Sequence, residues 1–186
     1  MIQPPDPTAQ DGLPPWAVVS LLRAAHVGRV VALLDQWAVA AGVDSTEHRR
    51  WVRAGWLHDA LRDADEATMR ALVPTSTDPL PLLHGPAAAV VAMRHGETDD
   101  AVLEAVRWHT VGSAEWGATG RALYAADFLE PGRPFAQPER ATLAIAWPSD
   151  PDGVLREVVR MRDAHQRGRG RVEHPMTLRF REALLG

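Results

Sequence analysis

Cysteine is missing altogether, which rules out a disulfide framework and any thiolate-bound metal. Lysine is missing too: all 20 basic side chains are arginine, the better bidentate partner for phosphate. No apolar run is long enough to span a bilayer. The opening stretch, MIQPPDPTAQDGLPP, has neither the basic nor the apolar region of a secretory signal. A net charge of −4 gives no general attraction to nucleic acid or to an anionic membrane. These absences predict a cytoplasmic protein with no nucleic-acid or membrane partner. The length of 186 residues suits a single domain over 15–186, preceded by a flexible proline-rich tail over 1–14.

Strand patterns are absent as well, and long alanine- and leucine-rich segments with helical spacing take their place. The spacing predicts a first helix from Pro15 to Gly42, a residue type that suits a C-terminal stop. A second opens at Asp44, with Glu47 as its capping-box partner, and carries WLHDALRD (56–63). TSTDPLPLLHGP reads as a loop, after which Pro86 starts a helix running to His95. Further helices are predicted from Thr98 to His109, through GRALYAADFL until Pro131, and from Pro138, Pro151 and Pro175. HQRGRGR (165–171) reads as a solvated basic connector. The prediction is an all-α bundle.

WLHDALRD raises a physical question, because two adjacent polar groups stand where the apolar pattern points inward. Other polar residues share the habit. His26 lies four residues after Leu22 and four before Val30; His109 shares a face with Val102, Ala105 and Val106. Asp127 follows Leu123 by four, and His84 stands just before a predicted helix start. Singly, each histidine reads as a hydrogen-bonded core residue. Buried carboxylates are harder to dismiss: Asp59 and Asp127 need cations, donors or protonation. No arginine stands one helical turn from Asp127 on its own helix, and a metal would answer both needs. Four imidazoles and two carboxylates suit iron, manganese or another first-row divalent ion, and are too many for one tetrahedral zinc. His58 and Asp59 differ by about 100° around a helix, so the histidine can serve one ion while the carboxylate bridges to a second.

This ordered set, H…HD…H…H…D, resembles the HD-domain phosphohydrolases, and among them the YqeK-type symmetrical diadenosine tetraphosphate hydrolases. RWHTVG (107–112) is similar to the family's HTTG motif, with Val111 in place of a threonine. LHDALR is similar to LHDxxK, with Arg62 at the lysine position; ADFLEPGRPF (126–135) and HPMT (174–177) complete the likeness. The resemblance implies an all-α HD-domain helical bundle with a two-metal site in its core and two divalent ions, iron foremost. It implies that His26, His58, Asp59 and Asp127 hold one ion, and that His84 and His109 hold the other with Asp59 shared. It implies symmetric cleavage of diadenosine tetraphosphate into two ADP, with a metal-bridging hydroxide as nucleophile.

Asp59, Arg62 and Arg133 are then the catalytic candidates, with Arg62 and Arg133 also clamping phosphate. Thr110 and Gly112 are expected to contact the same substrate, a dinucleoside polyphosphate, through a hydroxyl and a close backbone approach. Against these stand surface salt bridges for the two arginines and a plain helix stop for Gly112. Trp116 reads as a packing residue before an adenine platform, and His48, His95, His165 and His174 as surface, capping or helix-start residues. Two alternatives accompany the main reading: an HD hydrolase of an alarmone or cyclic dinucleotide, and a non-catalytic module that keeps its metals to bind a nucleotide.

Overall fold

The computed structural model describes residues 12–167 and 173–186. They form α1 (Leu21–Ala41), α2 (Ser45–Leu57), α3 (Glu66–Leu72), α4 (Leu80–Arg94), α5 (Asp100–Trp108), α6 (Ala118–Leu129), α7 (Gln137–Ala146), α8 (Pro151–Arg167) and α9 (Pro175–Leu185). No strand occurs among the described residues, and none of their helices is long and apolar enough to cross a membrane. Of the stretch read as a tail, residues 1–11 lie outside the described residues, and Pro14 is already buried. The predicted connector 165–171 divides: α8 continues to Arg167, and residues 168–172 lie outside the described residues.

Helix α6 is the axis of the bundle. Its run ALYAADFL is buried from Ala122 through Leu129, so it is apolar around its whole circumference, as a central helix must be. Helices α1, α2, α5, α7 and α8 all pack against it. Leu34, Leu57, Leu123 and Leu155 are fully buried where these helices meet, each stabilising by roughly 1.5–3 kcal/mol relative to exposure.

Local chemistry sets the ends of the elements. Gly42 closes α1 with φ of 64°, and its N–H reaches the carbonyls of Ala38 and Val39, as predicted. At α2, Asp44 accepts from the N–H groups of Thr46 and Glu47, but Glu47 does not complete the capping box. Its carboxylate instead accepts from Trp51 Nε1 at 2.8 Å and Thr119 Oγ1 at 2.7 Å, tying α2 to α6.

Three boundaries differ from the sequence reading, and all three bear on the site. Helix α1 starts at Leu21, not Pro15: the preceding residues run extended, with Val18 N–H donating to Ala60 O (2.7 Å) and Asp63 N–H to Val18 O (3.2 Å). Helix α2 stops at Leu57, so WLHDALRD is not all helix. His58 is the C-cap, and residues 58–63 continue as tight turns closed by bonds such as Arg62 N–H to Asp59 O at 2.9 Å. Helix α4 starts at Leu80, six residues before Pro86, because Pro81 fits its first turn. His84 therefore sits inside α4 rather than ahead of it. The short α3, capped by Asp65 on Thr68 N–H, was not anticipated.

Gly85 decides how closely α4 can approach α5. A Cβ at this position would lie 2.9 Å from the backbone oxygens of both Arg107 and Val106, and backbone cannot rotate away. Gly85→Ala is therefore expected to push α4 outward and cost about 1–3 kcal/mol through overpacking. Thermal unfolding of the variant checks it; an unchanged midpoint would show that the two helices do not need this contact.

Candidate metal centre

His26 rises from the second turn of α1, His58 and Asp59 from the end of α2, and His84 from α4. His109 caps α5, and Asp127 lies in the last turn of α6. All six are buried, His58 completely. They converge around the carboxylate of Asp59. Its Oδ2 faces His26 Nε2 and His58 Nε2, each at 3.7 Å, and its Oδ1 faces His84 Nε2 at 3.2 Å and His109 Nε2 at 3.5 Å. Each oxygen and its two imidazoles form a group close enough to hold one ion. One carboxylate thus joins two histidine pairs, the sharing that the adjacent His58–Asp59 pair suggested.

Three of the four imidazoles are oriented by their other nitrogens, while His84 Nδ1 is buried without a hydrogen-bond partner among the described residues. His58 Nδ1 donates to Gly55 O at 2.7 Å and His109 Nδ1 to Val106 O at 2.8 Å, each ring reaching back three residues at its helix end. His26 Nδ1 lies 3.1 Å from Glu130 Oε1. In each case Nε2 is turned towards Asp59, the arrangement that metal-binding histidines use once that nitrogen is deprotonated. His26 Nε2 and His58 Nε2 are buried and have no hydrogen-bond partner among the described residues. His84 Nε2 and His109 Nε2 stand 3.0 Å apart beside a carboxylate oxygen, an arrangement that repels itself without a proton or a cation among them. The donor set fits divalent metal ions.

Burial holds His58 down to about 4 and lowers His84 as well, so both are neutral ligands at ordinary pH. Burial also works against protonated His26, but the carboxylates of Asp127 and Glu130 outweigh it and lift the ring to about 9. Burial would raise Asp59, yet the imidazoles of His58, His109 and His84 keep it well below the usual carboxylate range.

Asp127 departs from the sequence argument. Its Oδ1 lies 3.2 Å from His26 Nε2, but it falls outside both three-residue groups. It also has cationic partners that its own helix does not supply. Arg133 Nη2 donates to Oδ1 at 2.6 Å, and Arg162 Nη2, from α8, to Oδ2 at 2.9 Å. Opposing the effect of burial, the charge of Arg133, the adjacent His26 imidazole and the charge of Arg162 hold Asp127 well below its usual range. Asp127 would stay ionised here even without a metal.

The remaining predicted residues separate clearly. Thr110 is in the site, its hydroxyl 3.1 Å from His109 Nε2 and 3.4 Å from His84 Nε2. Arg62 is half-buried beside the site and has no ion-pair partner among the described residues; its charge adds to the burial that lowers His84. Arg133, 30% exposed, bonds to both the carbonyl and the carboxylate of Asp127. Gly112 makes its close approach to another group. At φ of 87° it turns the chain after α5, and a Cβ there would lie 2.2 Å from the Phe180 ring. Trp116 packs between Tyr124 and Phe180, as its packing role predicted. It also lines an apolar cavity of about 460 Å³ with Trp51, Trp147 and Ala41. From His26 to Ala41, α1 rises about 22 Å, so this cavity lies at the far end of the bundle from the histidines. His48 pairs with Asp35, His95 caps α4 and His174 caps α9; the side chain of His165 lies outside the described residues.

Four contributors escaped the sequence reading. Glu130, 1% exposed, orients His26 and is itself held by Arg29 Nε and by Gly132 N–H at 2.7 Å. Arg23 donates to Asp59 Oδ2 at 2.8 Å. Arg162 bonds Asp127 while its guanidinium lies 4.2 Å from the centre of the Tyr124 ring. A signal for Arg162 existed, since it follows Leu155 by seven and Val158 by four, on the apolar stripe of α8. Arg23 and Arg29 flank His26 at one helical turn.

No family model matches the chain. A solved structure from Clostridium acetobutylicum, described as a predicted HD superfamily hydrolase involved in NAD metabolism, superposes with a TM-score of 0.77 over 90% of each chain, at 24% identity. The chain shares the all-helical fold of that structure. Two curated relatives are similar in sequence, and both are named bis(5'-nucleosyl)-tetraphosphatase, symmetrical. The Staphylococcus aureus protein is 35% identical over 43% of this chain and 45% of its own length; the Bacillus subtilis protein is 29% identical over 61% and 63%. The chain thus spans less than two thirds of the curated relatives it matches. The resemblance read from the HD, HTVG and EPGR motifs is borne out by these relatives.

Glu130 offers a test of the site. Its carboxyl is held down to about 2: burial opposes this, and the bonds from His26, Arg29 and Gly132 N–H outweigh it. A depressed folded-state pKa contributes stability that is complete above the ordinary value of 4.5 and drains as pH falls towards about 2. Glu130→Gln is expected to flatten the loss of stability across that window and to weaken metal binding about ten- to a hundredfold, because a neutral amide orients and polarises His26 less strongly than the carboxylate does. Denaturant titrations in chelator across the window and metal-competition titrations at neutral pH measure the two effects. Wild-type metal affinity in the variant would remove Glu130 from the site.

Proposed function

We propose that this protein is a metal-dependent phosphohydrolase of the cytoplasm that cleaves diadenosine tetraphosphate symmetrically into two ADP. The observation that carries the reading is the charge balance of the site. Three carboxylates, Asp59, Asp127 and Glu130, are met by four guanidiniums, from Arg23, Arg29, Arg133 and Arg162. With the imidazoles neutral, as they must be to hold cations, the cluster is already positive by one charge before any ion is added. Two divalent ions make the excess large, and an excess of that size around buried carboxylates, with its guanidiniums 16–37% exposed, favours a polyanionic ligand. A polyphosphate chain, with about one negative charge per phosphate, meets it. The names of the two curated relatives direct the choice among polyphosphates.

In this reading His26, His58, Asp59 and Asp127 hold one ion and His84 and His109, with Asp59, hold the other. The sulfur-free donors suit iron first, with manganese or another first-row ion as substitutes. When bound, the ions lower the pKa of a shared water and offset the phosphate charge that would repel it. Asp59, with an oxygen towards each histidine pair, fixes the spacing of the centre. The Thr110 hydroxyl, beside His84 and His109, donates to a phosphate oxygen. His26 and Asp127, each 6% exposed, mark the side on which the site opens, and Arg133 stands at that rim. Arg62, with no salt bridge within 4 Å among the described residues, binds a second phosphate and holds the chain in register. With the second phosphate from one adenosine anchored beside Asp59, the central bridge breaks. The oxygen of water joins one half, the bridging oxygen leaves with the other, and both halves are ADP.

Iron-loaded protein incubated with diadenosine tetraphosphate, with products separated early by ion exchange, is expected to yield ADP alone. ATP and AMP in equal amounts, or no turnover with the metal site full, overturns the proposal. Arg62→Ala is expected to lower kcat/KM about ten- to a hundredfold with metal content unchanged, the effect of one charged hydrogen bond.

A further inference from the structure

Two groups contend for one oxygen in this site. Asp59 Oδ2 is the oxygen turned towards His26 and His58, and it is also the acceptor of Arg23 Nη1 at 2.8 Å. A cation held by His26, His58 and Oδ2 shares that oxygen with the guanidinium, and two positive charges on one buried acceptor repel. Arg23 differs from the other three guanidiniums of the cluster in how it is held. Arg162 is trapped against Tyr124, Arg133 bonds Asp127 twice, and Arg29 bonds a Glu130 that Gly132 N–H also fixes. Arg23 makes one side-chain hydrogen bond among the described residues, is 29% exposed, and stands in the first turn of α1 beside Leu21 and Leu22, which are 90% and 86% exposed. Arg29 and Arg133 are as exposed, at 37% and 30%, so what sets Arg23 apart is that its one acceptor is the oxygen turned towards His26 and His58.

From this geometry we infer that Arg23 is a further phosphate-contacting residue, which exchanges Asp59 for a phosphate oxygen of the substrate as the His26–His58 cation loads. The inference deepens the phosphohydrolase reading of the same site and rests on it. Its consequence is a coupling: cation and phosphate each favour the other, because each removes the partner that Arg23 would otherwise take. An arginine that merely steadied Asp59 would do the opposite, since its loss would weaken cation binding.

Two titrations decide between these roles. Co(II) alone is titrated into chelator-treated protein, and inorganic phosphate into the Co(II)-loaded protein, both followed by the visible absorption of the bound ion. Arg23→Gln is expected to bind the first Co(II) about tenfold more tightly, since a competing cation is gone, and phosphate about ten- to a hundredfold more weakly. Arg23→Lys keeps the charge; it should show near wild-type Co(II) affinity and intermediate phosphate affinity, and it guards against a fold defect in the first variant. Unchanged or weaker Co(II) binding in Arg23→Gln, or undiminished phosphate binding, overturns the inference. Neither titration uses the dinucleotide, so a failure of diadenosine tetraphosphate as substrate leaves this result standing.

Discussion

A carboxylate has two oxygens about 120° apart, and at Asp59 each of them is turned towards a different pair of imidazoles. Placing one buried anion between four histidines from four helices is demanding, and much of the local structure is explained by it. The turns after Leu57 and the extended strap around Val18 hold the backbone of Asp59 from both sides. Gly85 lets α4 close on the end of α5, which brings His84 to 3.0 Å from His109. Buried Arg140 donates to the carbonyls of Phe128, Glu130, Arg133 and Phe135, fastening the loop that presents Glu130 and Arg133. An unsupported anion at this depth would be protonated or hydrated instead.

The absence of lysine acquires a meaning at this centre. Apart from the His26 ring, each cation that meets a carboxylate here is a guanidinium, planar and with several donors, so it can bond one acceptor and still offer N–H groups elsewhere. Arg133 uses this to hold both a carbonyl and a carboxylate of one residue. Arg162 combines an ion pair with the face of Tyr124, a use of the flat group that an ammonium serves less well. The resulting positive excess links the stability of the core to the chemistry of the ligand: the same charges that keep Asp59 and Asp127 ionised favour a polyanion.

Much of the site was legible before any coordinates. His26, the His58–Asp59 pair, His109 and Asp127 stand at inward helical positions, and burial of charge demands compensation wherever it occurs. The periodicity placed each side chain on a face without placing the helices against one another. It therefore missed Arg162, whose partner Asp127 is 35 residues away, and Glu130, whose partner His26 is 104 away. It also carried α2 through His58. A helix end is decided by whether its last carbonyls find partners, and here the His58 ring itself takes the carbonyl of Gly55.

By itself, then, the sequence determined the fold class and the inward-facing histidines and aspartates with their chemical type, because helical period and the cost of burying charge are local properties of residues. Only the tertiary structure decided which histidines share which oxygen of Asp59, which arginines meet Asp127, and that Gly112 and Trp116 serve the packing around Phe180. Those outcomes depend on distances between helices far apart in the chain. Such distances are set by packing across the whole bundle, to which each segment contributes one side.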